Sequence, residues 1–194
     1  MNAWIGKTVL LMGLIVFVAI RAPYERRSKE TKITESRRGA QETTLMVLMG
    51  IGCFVFPLIF IFSPLLSFAN YRLHPVAFLG GIVCLIFGLW FFHRSHVDLG
   101  TNWSISLELR EHHQLVTSGA YKSIRHPMYS AIFIYALAQA LLLPNWIAGP
   151  CCFATFTLMF AFRLRPEEQM MLERFGPEYE DYAERTKRLI PGIW

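Results

Sequence analysis

Two polar stretches of this 194-residue chain hold most of the side chains that could do chemistry. The first runs from His93, Arg94, Ser95 and His96 into LGTNWSISLELREHHQLVTSGAYKSIRHPMY, rich in His, Gly and aromatic residues. The second reads RLRPEEQMMLERFGPEYEDY, from Arg163 to Tyr182. Histidines at 74, 93, 96, 112, 113 and 126 invite a metal reading. Carboxylates at ligand spacing are sparse, however, and neither HExxH nor a clustered HxxHH box occurs, so no metal is expected. No GxGxxG follows a strand pattern and no GxSxG appears, which excludes a Rossmann-type cofactor domain and a serine-nucleophile elbow. Arg163 and Glu167 are four apart, so on a continuous helix they share one face, although Pro166 could kink it. Glu167 and Glu168 follow Pro166 as carboxylates favour the first turn of a helix, and Pro127 suits the opening position of another. The competing reading of all these residues is structural: helix starts, caps and basic anchors at a membrane boundary.

A membrane is what must position these stretches. Hydrophobic residues make up 54% of the chain and charged ones 17%. No charge lies between Leu45 and Ala69 or between Pro127 and Phe162. Such runs read as transmembrane helices, because about 20 residues at 1.5 Å rise cross a hydrocarbon core of roughly 30 Å. The expected fold is therefore all-α and polytopic, a single integral membrane domain over 1–194. Five spans are expected, at about 3–20, 45–68, 73–92, 128–143 and 146–162, with cytoplasmic connecting segments and a C-terminal helix. Pro57 and Pro64 are the expected kink points, and the last two spans form a hairpin around Pro144-Asn145. The first span lacks the basic n-region and small-residue cleavage site of a signal peptide.

Lysine and arginine orient the bundle. Seven lie in the first loop, four in the third and six in the tail, against only Lys7 and Arg72 on the other side. The positive-inside rule then puts the N-terminus outside and the C-terminus in the cytoplasm. The net charge of +5 is mostly this topology signal, not nucleic-acid affinity. Cys53, Cys84, Cys151 and Cys152 carry no disulfide or CxxC signal and read as small apolar packing. Gly80, Cys84 and Gly88 form a small-residue stripe that lets another helix approach. The first loop, 21–44, reads as a helical extension or solvated connector without chemistry.

The two polar stretches together resemble the isoprenylcysteine carboxyl methyltransferase family. HQLVTSGAYKSIRHPMY, His113–Tyr129, follows that family's His-x-Leu-Val-x-x-Gly-x-Tyr-x-x-x-Arg-His-Pro-x-Tyr pattern. The second stretch carries its Glu-Glu pair followed by Phe-Gly-x-x-Tyr. The resemblance covers about the last 85 residues and implies S-adenosylmethionine as cofactor and S-adenosylhomocysteine as product, held by segments 108–129 and 163–182. It implies cofactor contacts at His113, Gln114, Leu115, Val116, Tyr121, His126, Pro127, Met128, Tyr129 and Glu167, with Glu108 just ahead of the motif. Arg163 and Glu167 take the catalytic positions, and Arg163 faces the acceptor carboxylate. The implied partner is a lipophilic or prenylated cysteine acceptor. Its tail partitions into lipid at about 0.8 kcal/mol per buried CH₂, while its carboxylate, with a pKa of ~3.3–3.7, needs no general base. The residues leave open a small thiol, a phospholipid amine or another lipophilic acceptor. A transporter is disfavoured because no charge lies mid-membrane.

Overall fold

A computed structural model describes residues 3–30, 32–37, 39–110 and 113–193. Thr31 and Arg38 of the first loop, and Glu111 and His112 within the first polar stretch, lie outside the described residues.

Helix α1 spans Ala3–Glu30 and extends ten residues beyond the expected span. Its inward positions Leu10, Gly13, Leu14 and Phe17 repeat at helical spacing, while Trp4, Met12, Ile15 and Val18 face outward. The extension is held by pairing along its own surface, with Lys29 and Arg21 both on Glu25 one turn away. Strand β1, Ile33–Ser36, pairs antiparallel with β2, Glu108–Arg110. The first loop is thus partly a strand, not only an extension or connector: its Ile-Thr-Glu-Ser run finds a partner that local sequence does not announce.

Helix α2, Ala40–Gly50, passes through a π-helical turn, Ile51–Val55, into α3, Phe56–Phe62. The π turn precedes Pro57, whose missing N–H and ring conflict with a regular ladder. The span stops at Phe62 because Ser63, ahead of Pro64, is extended at φ −138° and ψ 159°. Helix α4, Pro75–Leu99, opens with Pro at its first position and the His74 ring accepting from the Val76 amide at 3.3 Å. Helix α5, Pro127–Leu142, packs closely along it. Gly88 permits that contact: a Cβ there would stand 3.1 Å from the Tyr135 nitrogen. The small-residue stripe therefore serves packing within the chain.

Helix α6 covers Cys151–Phe175 and α7 covers Pro177–Arg185. The fifth apolar stretch does not become helical at Trp146. The Asn145 side chain accepts from the Ile147 and Ala148 amides at 3.1 and 2.9 Å and holds residues 146–150 as turns. At the other end α6 runs straight past Pro166, which sits inside the helix and not at its start. Cys53 and Cys152 form a disulfide joining the π turn to α6, where the sequence suggested packing alone; Cys84 and Cys151 are free.

Three helical segments are long and apolar enough to cross a membrane: Ala3–Glu30, Ala40–Phe62 and Pro75–Asn102. Pro127–Leu142 is apolar but shorter, and α6 turns charged beyond Phe162. Apart from one small sheet among the described residues, the chain is a helical integral membrane protein.

Candidate functional site

The two polar stretches meet at one end of the bundle and enclose a cavity. The path begins at the end of α4, which Gly100 terminates at φ 57°. The chain then folds back over that end. Asp98 accepts from the Ala120 amide at 2.9 Å, and Gly119, at φ 59°, sits so close that any Cβ would run into the Asp98 carboxylate. Asn102 accepts from the Gln114 amide at 2.8 Å, fixing the start of the motif segment. Tyr182 of α7 donates to the Tyr121 carbonyl at 2.7 Å.

Glu167 and Glu168 leave α6 in different directions. Glu168 is a structural hub. It accepts from Arg125 Nε at 3.1 Å and Arg188 Nη2 at 2.9 Å, and lies 3.4 Å from His126 Nε2. Residues 187–189 form a strap over the same loop: Arg125 N donates to the Lys187 carbonyl, His126 N to Arg188, and the Ser130 hydroxyl to Leu189. Glu167 instead lines the cavity. It accepts from the Tyr129 hydroxyl and lies 3.6 Å from His126 Nδ1 and 3.5 Å from Arg163 Nε. Arg163 and Glu167 do share a face, because Pro166 leaves the helix continuous. Arg163 also pairs at 3.0 Å with Glu42, a buried carboxylate on α2.

This network fixes charge states. Burial alone would push Glu167 up, but the hydrogen bond and charge of His126, with Arg163 and Tyr129, bring its carboxyl down to about 2. Burial of His126 disfavours its cation, and the two carboxylates outweigh that and raise its pKa. His113 behaves oppositely: burial, aided by Arg174, lowers it to about 4 and keeps the ring neutral. Its Nδ1 is buried without a hydrogen-bond partner.

Of the residues expected from sequence, Glu108, His113, Gln114, Leu115, Val116, Tyr121, His126, Met128, Tyr129, Arg163 and Glu167 all line this one cavity. Pro127 does not: it is fully buried behind the wall, where its ring opens α5. Sequence reasoning missed Trp103, whose indole donates to Met128 Sδ at 3.3 Å, and Met170 and Met171 on the opposite wall. It also missed Glu42. The available signal was its placement one turn ahead of Leu45 and Met46 and two ahead of Met49, on the face that turns inward.

A second chamber adjoins the first and shares Trp103, Ser104, Met128, Tyr129 and Arg163 with it. Its remaining walls are mostly apolar, including Phe17, Met46, Met49, Phe54, Ile132 and Met159. The first cavity carries Glu108, His126 and Glu167, which the second lacks, and Arg163 stands where they touch.

Such a bundle defines a helical intramembrane protein with a polar site at one end and an apolar compartment beside it. Residues 81–173 match the isoprenylcysteine carboxyl methyltransferase (ICMT) family. The chain is 30% identical over 115 residues to protein-S-isoprenylcysteine O-methyltransferase B of Arabidopsis thaliana, covering 58% of each chain. It is 31% identical over 115 residues to the Schizosaccharomyces pombe protein-S-isoprenylcysteine O-methyltransferase, covering 58% of this chain and 48% of that one. The chain thus spans about half the length of the curated relatives it matches. A solved structure of the eukaryotic intramembrane Ras methyltransferase ICMT superposes with a TM-score of 0.52 at 27% identity, covering 81% of this chain and 55% of that one.

Proposed function

We propose that this protein is an S-adenosylmethionine-dependent methyltransferase that esterifies the carboxylate of a lipophilic or prenylated cysteine acceptor. The observation that carries the reading is the junction of an ionic cavity and an apolar chamber at Arg163. The match of residues 81–173 to the ICMT family supports the reaction class.

The residues of the ionic cavity suit the cofactor. Its sulfonium is a cation, and the ionised Glu167 with the Tyr121 and Tyr129 rings offers the carboxylate and aromatic faces that attract one. Met170, Met171 and Leu107 supply apolar wall for an adenine, and the unpartnered Nδ1 of neutral His113 supplies a polar atom for it. When bound, the cofactor supplies an electrophilic methyl group on positively charged sulfur.

The protein's part is alignment. Arg163 holds the acceptor carboxylate as a bidentate fork that cannot lose its proton. With the cofactor bound, the carboxylate held by Arg163 would be the nucleophile and the thioether the leaving group, and an anion and a cation would become two neutral groups. No proton is transferred, and no general base is needed. Enclosing the two charges away from water and in line is what lowers the barrier. Trp103 and Met128 separate the two compartments and leave Arg163 and Tyr129 facing both. The positive-inside rule supports a cytoplasmic interface for the basic loops at this end, with the N-terminus outside and the C-terminus inside. A water-soluble cofactor then arrives from the cytoplasm and the acceptor from the bilayer.

Calorimetry with S-adenosylhomocysteine, followed by a radiolabelled methyl assay against carboxylate, thiol and amine acceptors, tests this. Micromolar binding and base-labile ester formation are expected. Absence of binding, or transfer only to a thiol or amine, overturns it.

A further inference from the structure

We infer that Arg21, on α1, is a second anchor for the acceptor's anionic head, so that the carboxylate sits between two guanidinium groups. The inference rests on the methyltransferase reading and adds to it a specificity-determining residue outside the family-matched segment, which begins at residue 81.

Arg21 and Arg163 both line the apolar chamber, and among its described lining residues there is no Asp or Glu. Two guanidinium groups on a mostly apolar wall make a receptor for an anion attached to a long apolar body. The two arginines are not equivalent. Arg163 is committed to Glu42 at 3.0 Å and to Glu167 at 3.5 Å, so its charge is largely balanced before any acceptor arrives. Among the described residues Arg21 pairs only with Glu25, at 3.7 Å and shared with Lys29 at the helix surface. Its guanidinium lies 5.1 Å from the Trp103 ring centre, which braces it without neutralising it. Arg21 therefore brings net positive charge to the chamber, while Arg163 contributes geometry. A neutral or cationic acceptor, an amine included, gains nothing from this arrangement. A carboxylate-headed amphiphile gains a charge-assisted contact on each side.

The full chain in lipid nanodiscs is tested with two probes: N-acetyl-S-farnesylcysteine and its carboxamide, which keeps the tail and loses the charge. The wild-type protein is expected to bind the acid about tenfold more tightly than the amide, as a charge-assisted contact requires. Arg21→Gln should bring the ratio to about twofold or less, and Arg21→Lys should restore most of it by returning the charge. Affinity for S-adenosylhomocysteine, measured on the same samples, should stay unchanged and certifies that each variant is folded. An undiminished acid preference in Arg21→Gln overturns the role of Arg21 and leaves the methyltransferase reading standing. So does a wild-type protein indifferent to the charge. Failure of the wild-type protein to bind S-adenosylhomocysteine removes the methyltransferase reading, and the acid-to-amide ratio still decides Arg21.

Discussion

The two ends of the bundle bury polar groups by opposite means. At the end remote from the site, Asn145 is fully buried and uncharged. It accepts from two backbone amides and donates to the Leu66 carbonyl at 2.7 Å and Asn70 Oδ1 at 2.8 Å. Each of its hydrogen-bonding positions is used locally, and the result is a sealed turn. At the site end, Glu42, Glu167 and Glu168 meet Arg125, His126, Arg163 and Arg188. Amides suffice where polarity only closes a turn. Buried ions, costly to desolvate, occur where a charged ligand is to be held. Within the ionic end the same division recurs between adjacent residues: Glu168 is consumed by the strap and its arginines, while Glu167 faces open space.

The largest effect that separates the two ends should come from Glu167→Gln, which removes the carboxylate next to Arg163 and His126 without changing the cavity's shape. Turnover and S-adenosylhomocysteine affinity are expected to fall by two orders of magnitude or more, about 3 kcal/mol, in calorimetry and radiolabel assays. Retention of either within threefold would erase the proposed distinction from Glu168. Arg163→Ala follows. It should abolish acceptor turnover and, by leaving Glu42 buried and unpaired, destabilise the fold by about 3–5 kcal/mol. The double variant with Glu42→Gln should recover most of that stability in thermal melts but none of the activity. At the remote end, Asn145→Ala should cost about 1–3 kcal/mol of stability by orphaning amides and carbonyls, with turnover per folded molecule unchanged.

The smallest effect is on pH. Glu167 is depressed from 4.5 to about 2, so its contribution to stability is present above pH 4.5 and is lost as pH falls toward 2. His126 is raised from 6.5, so its contribution is complete below pH 6.5 and fades as pH rises through its elevated value. Melting temperature should therefore plateau between pH 4.5 and 6.5, and Glu167→Gln should flatten the alkaline slope. An unchanged alkaline slope would remove the His126–Glu167 pairing from the account.

Five apolar stretches and the linked motifs were legible because hydropathy and local motif chemistry act over short distances in sequence. Eleven expected residues converge on one cavity for that reason. What was hidden depends on distant partners. Pro166 read as a helix start, yet it lies inside α6. Trp146 read as helix, yet Asn145 captures the amides that follow. Strand β1 finds its partner in β2, with Ile33 opposite Arg110, 77 residues later. Glu42 and Arg21 looked like a solvated charge and a topology marker, since only the folded chain brings α1 and α2 against α6.

The strap at 187–189 also sets an order of events during synthesis. His126 receives a backbone partner from Arg188, and Arg125 from Lys187, only after the ribosome has delivered that part of the chain. Until then the helices can already be lodged in the bilayer with the His126 loop unfastened and Glu168 short of a counter-ion. The nascent protein should thus be membrane-inserted before its cavity is closed.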